Sequence, residues 1–141
     1  MTAKEYLRSV KIAKARIQRL NQVRDGIINA MRMISSPQLG DRVQTSPRDR
    51  MPELMAELDS NETQLILAIE NETKLIIKIS QQIDNMNASE TEKQCLHMRY
   101  VLCMDWNSLF LAMGYSESAC HKFHRSALRR FQEQYISKRL Q

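Results

Sequence analysis

Two long stretches of this 141-residue chain carry apolar residues at alternating steps of four and three, and that spacing restricts the fold more than any other feature. In the first stretch the series is Tyr6, Val10, Ala13, Ile17, Leu20, Ile27, Met31 and Ile34, with Arg24 in the one missing place. In the second it is Met51, Met55, Leu58, Glu62, Leu65, Ile69, Glu72, Ile76, Ile79, Ile83 and Met86, with two glutamates as polar intrusions. A half-buried strand would alternate every second residue. The spacing therefore predicts helices whose seam repeats every seven residues, as in a coiled coil. Thr2 and Glu5 suit a capping box opening the first helix. Pro52 is a good first helical residue for the second, which runs to about Met86 or Asn87. Residues 35–50 hold two prolines and a glycine without periodicity and read as a loop.

Charge supports pairing of these segments. Residues 1–34 carry eight Lys or Arg against two acids, and residues 52–88 carry two against seven. Laid antiparallel, the seams put Ile34 opposite Met51, Met31 opposite Met55, Ile27 opposite Leu58 and Arg24 opposite Glu62. The polar exceptions then meet. Such a pair sets register more than it adds stability. The expectation is a long antiparallel helical hairpin over 1–87. The same seams would serve pairing with a second subunit equally well, and a homodimer is expected.

Residues 88–141 change character. Ser89-Glu90-Thr91-Glu92 reads as a capping box for a third helix reaching about Leu102. Asp105 caps a short helix, Trp106 to Met113. Gly114 suits a left-handed turn, and Ser116 caps a longer helix from Glu117 towards Ile136. Short helix, glycine turn and second helix form the layout of a helix-turn-helix. Its expected core is Trp106, Leu109, Phe110, Met113, Gly114, Tyr115, Cys120 and Phe123. The outward positions expected to meet DNA are Ser118, Ala119, His121, Lys122 and Arg125, with Arg129, Arg130 and Lys138 towards phosphates. Arg binds guanine through two hydrogen bonds, and Lys and Arg neutralise phosphates. The formal net charge of +5 is compatible with an anionic partner. Lys4, Arg8, Lys11, Lys14, Arg16 and Arg19 form a further basic run, read first as the solvated face of a helix.

Other chemistries find little support. Aromatics at 6% and few glycines argue against a β-sandwich. The first residues lack the apolar core of a secretory signal, and no stretch is apolar enough to span a membrane. Cys95, Cys103 and Cys120, an odd number without a CxxC, read as reduced thiols in a cytoplasmic protein. Cys120 and His124 lie four apart, but zinc needs four converging ligands, so no metal is expected. No third group orients that pair as a nucleophile, and no phosphate-cradling glycine loop occurs. Neither a cofactor nor an enzymatic activity is expected.

The run Leu96-His97-Met98-Arg99-Tyr100-Val101, then Asp105-Trp106-Asn107-Ser108-Leu109, Met113-Gly114-Tyr115-Ser116-Glu117-Ser118 and His124-Arg125-Ser126-Ala127-Leu128 resembles sigma-70 region 4. More closely, it resembles phage-encoded transcriptional regulators of the RinA/ArpU kind. They too have a helical segment and a loop like Gly40-Asp41-Arg42-Val43-Gln44-Thr45-Ser46 before it. The resemblance is strong only over 96–131. It implies an all-α protein with a three-helix sigma-region-4-like unit after the hairpin, binding promoter DNA in a bacterial host to switch on late phage genes, in contact with host RNA polymerase. The chain departs from that pattern at Asn107-Ser108, where acids are usual, at Phe110, where a small residue is usual, and at Cys120, where a branched aliphatic is common. Two alternatives stand beside this: a small-terminase-like packaging protein, and a protein-binding module whose reading helix has decayed.

Overall fold

The computed structural model describes residues 1–35 and 50–140, and all their regular structure is helical, with no strand among them. Helix α1 spans Ala3–Ser35, α2 Met51–Asn85, α3 Glu90–Leu96, α4 Trp106–Met113 and α5 Glu117–Phe131. Two π-helical turns, His97–Val101 and Gln132–Ile136, prolong α3 and α5, and a 3-10 turn, Ser137–Leu140, follows. The loop read over 35–50 lies, apart from Ser35 and Arg50, outside the described residues, as does the connection that would join α1 to α2. No helix among the described residues is long and apolar enough to cross a membrane.

Local hydrogen bonding explains where the helices begin. The Glu5 N–H donates to Thr2 Oγ1 at 3.2 Å and the Thr2 N–H to Glu5 Oε2 at 2.7 Å, so both halves of the first capping box form. These bonds from Thr2 hold the Glu5 carboxyl below its ordinary pKa. The Glu92 N–H donates to Ser89 Oγ at 3.2 Å. The Glu92 carboxylate answers with the Ser89 hydroxyl rather than the Ser89 N–H: its Oε1 accepts from Ser89 Oγ at 3.1 Å, while its Oε2 accepts from Ser126 Oγ at 3.0 Å and pairs with Arg130 at 3.2 Å.

The chain divides into two compact units, residues 1–14 with 72–141 and residues 15–71. The division therefore crosses both long helices, where the sequence pointed to a boundary at 87/88. The first unit's core shows the reason. Leu96, Tyr100, Ala127 and Phe131 turn their apolar faces to one centre, and Leu7, Val10, Ile79 and Ile83 complete it. Three short helices cannot enclose a core of this size alone, so the ends of α1 and α2 supply its remaining layer.

In the second unit Ile27, Leu54, Leu65 and Ala68 are buried. Arg24 Nε lies 3.4 Å from Glu62 Oε1, and Asn61 Nδ2 donates to the Leu20 carbonyl at 3.3 Å. The seam of α1 follows the expected positions from Ile17 to Ile34, all buried or half-buried. That of α2 does not: Met55 is 54% and Ile69 43% exposed, and Leu54, Asn61 and Ala68 are buried instead. The Met31–Met55 layer is thereby corrected. A straight helix slips by about 20° per heptad against a strict seven-residue repeat. From Ile83 back to Met55 that amounts to about 80°, enough to carry Met55 out of the seam and bring its neighbour in.

Candidate nucleic-acid interface

The α4–turn–α5 segment is built on three local devices. Asp105 Oδ1 accepts from Ser108 Oγ at 2.5 Å, and Asp105 Oδ2 from the Ser108 N–H at 3.4 Å, capping α4. These bonds from Ser108 keep the Asp105 carboxyl below its ordinary pKa. Ser108, one of the departures from the resembled pattern, thus strengthens the cap. Gly114 ends α4 at φ 72°, a left-handed conformation costly to most other residues. Ser116 Oγ accepts from the Ala119 N–H at 3.2 Å and starts α5.

A small core fastens this segment to α3. Cys95, Leu109 and Cys120 are fully buried, with Met98, Trp106, Phe110, Met113 and Phe123 packed around them. Leu109, not Phe110, is the α4 residue wholly enclosed; Phe110 is half-buried, its ring 5.9 Å from Trp106 and 5.5 Å from His121. Tyr115 is 48% exposed, touching the core only by an edge contact with Phe123 at 5.1 Å. Burial, then neighbouring Cys120, raises the Cys95 thiol pKa to about 11, and burial also raises that of Cys120. Both are neutral thiols at ordinary pH, unlike the thiolate needed for nucleophilic attack.

On α5, Ser118, Lys122, Arg125 and Arg129 are exposed at steps of four, three and four, so they share one outward face. Other expected contacts lie elsewhere. Ala119 is half-buried. The His121 ring sits 4.5 Å from that of Trp106, and its Nε2 lies 3.8 Å from Glu117. Arg130 is engaged by Glu92 and donates to the Asn87 carbonyl at 3.5 Å. Glu92 is only 8% exposed, so this arginine neutralises a carboxylate inside its own unit. Lys138 is exposed beyond α5. The Glu92–Arg130 pair spans 38 residues of sequence, and no local pattern marks it.

Arg99 was missed as a structural residue. Its guanidinium lies 4.7 Å over the Trp106 ring and donates to the Met104 carbonyl at 2.7 Å. Behind it, Tyr100 Oη and His124 Nε2 are 2.7 Å apart and buried. Burial above all, then the charges of Lys4 and Arg99, lowers the His124 pKa to about 4. Lys14 of α1 donates to the Val101 carbonyl at the end of the π-helical turn. No family model, curated protein or solved structure matches the chain.

Proposed function

We propose that this chain is a DNA-binding transcriptional regulator of the phage type, reading duplex DNA with α5 as the second helix of a helix-turn-helix. One observation carries the reading: Ser118, Lys122, Arg125 and Arg129 make an exposed, acid-free face on a capped helix that follows a glycine turn. A major groove accepts such a helix, with residues near its N-terminal end reaching base edges. Lys122 and Arg125 are the base-reading candidates, and Arg129 meets phosphate. His121 buttresses the reading helix through Trp106, and Arg130, though exposed, is paired with Glu92. Activation of late genes, and contact with host RNA polymerase, rest on the resemblance to RinA/ArpU-type regulators.

The test is selection of bound duplexes from a random pool, followed by titration of the winning sequence. Lys122→Ala and Arg125→Ala should each weaken it by about 5- to 150-fold, the range for loss of a good base contact. Arg129→Ala should lower the salt dependence by about one phosphate. No enriched sequence, with binding indifferent to these changes, would sink the reading.

A packaging role has one observation in its favour. Met55, Ile66, Leu67 and Ile69 leave a large apolar surface on α2 of the second unit exposed, as an oligomer-forming segment would. A dimer is the state we propose. A ring of many subunits would favour packaging.

A further inference from the structure

Within the first unit a cavity of about 420 Å³ opens beside the start of α1. Lys4, Arg8 and Lys11 line it from one face of that helix, and Arg99 from the other side. No carboxylate lines it among the described residues. Lys4, Arg8 and Lys11 are exposed, and no described residue forms an ion pair or hydrogen bond with their side chains. Glu5, the nearest acid in sequence, accepts from the Thr2 N–H and feels the Arg8 charge without lining the cavity. The deeper wall is different in kind: Trp106, Tyr100 and His124, aromatic and uncharged at neutral pH.

We infer that this cavity is a nucleotide site, the basic rim holding phosphate and the aromatic wall facing the base. Like charges gathered round a concave space repel one another, and a multivalent anion relieves that repulsion. Phosphate suits this rim because Lys supplies a point charge and Arg a planar pair of donors. The volume falls in the roughly 300–1,000 Å³ range of small-ligand sites, larger than a bare inorganic ion needs. Arg99 lies over the Trp106 ring while Tyr100 and His124 are buried, so the base packs on the Arg99 guanidinium plane and half-buried Trp106. The nucleotide arrives either free or as part of a single strand.

Trp106 is the chain's sole tryptophan, so its fluorescence reports on the cavity directly. The full chain is titrated with ADP and, separately, with an unstructured thymidine octanucleotide, against sodium chloride of equal ionic strength. Calorimetry on the same solutions registers binding that leaves Trp106 silent. A saturable response to either probe is expected, weakened at least tenfold in the Lys4→Gln/Arg8→Gln double variant. Lys78→Gln, which removes an exposed charge of α2 outside the cavity, should leave it within twofold. A response to ADP identifies a free nucleotide as a ligand, and one to the octanucleotide alone a strand. Absence of both signal and heat overturns the inference, as does a response equalled by salt or indifferent to Lys4 and Arg8. A chain that takes ADP but no duplex fails the transcriptional reading and keeps this one. A chain that binds duplex through Lys122 and Arg125 but neither probe does the reverse.

Discussion

His124 is the residue whose surroundings most alter its chemistry. It is 7% exposed, bonded to Tyr100, and its pKa falls to about 4 from an ordinary 6.5. The unfolded chain therefore takes up the proton first as pH falls. Above about pH 6.5 neither state holds it, and stability is unaffected. Between 6.5 and 4 the unfolded state binds more protons, so stability declines, by about 2 kcal/mol once solvent screening is allowed for. Glu5 and Asp105 also lose their contributions in acid, but as pH falls through folded values below 4.5 and 3.8. In the window from 6.5 down to 4.5 His124 contributes this loss without Glu5 or Asp105. Urea unfolding across it should show the decline in the parent and a shallower one in His124→Gln. Cys103 is the other unusual residue, at φ 56° where glycine is normally favoured; its Sγ packs back on the Tyr100 carbonyl at 3.4 Å.

At the scale of elements, two buried polar groups hold helices in register at different cost. Glu92 ties the start of α3 to α5 through Ser126 and Arg130. Removing the arginine leaves a nearly buried carboxylate without its counter-charge. Arg130→Ala should lower unfolding stability by about 2 kcal/mol, against under about 0.5 kcal/mol for exposed Arg129→Ala. Equal losses from the two would contradict that role. Asn61 is the reverse case. Its Nδ2 reaches the Leu20 carbonyl, but its buried Oδ1 has no partner among the described residues. An unsatisfied buried oxygen costs about 1–3 kcal/mol. Asn61→Leu should raise the denaturation midpoint, while weakening the preference for one register. The neighbouring Arg24–Glu62 pair, 42% and 43% exposed, is worth at most about 1 kcal/mol.

Over the whole molecule, the proposed activity depends on assembly. Two reading helices held at fixed spacing bind a two-fold symmetric site far better than one. Sedimentation equilibrium should give a two-chain mass. Ile66→Glu with Ile69→Glu should return it to one chain without loss of helical signal, because both side chains are exposed in the single chain. A parent that sediments as one chain would remove the dimer from the proposal.

Helical class and helix starts were legible in the sequence because caps and periodicity act within a few residues. Thr2, Ser89, Asp105, Gly114 and Ser116 all lie within reach of the backbone groups they satisfy. The outward stripe from Ser118 to Arg129 was legible for the same reason. Three things were decided only by tertiary packing. The unit boundary moved into α1 and α2, because Phe131 and Leu96 needed cover that residues 88–141 do not contain. Arg130 stays exposed but is paired with a carboxylate 38 positions away. Lys4, Arg8 and Lys11 read as a plain solvated face until the fold set Arg99 and an aromatic wall across from them. Local pattern specifies which way a side chain points from its own helix. What it meets there depends on residues distant in sequence, brought close by burial of a shared core.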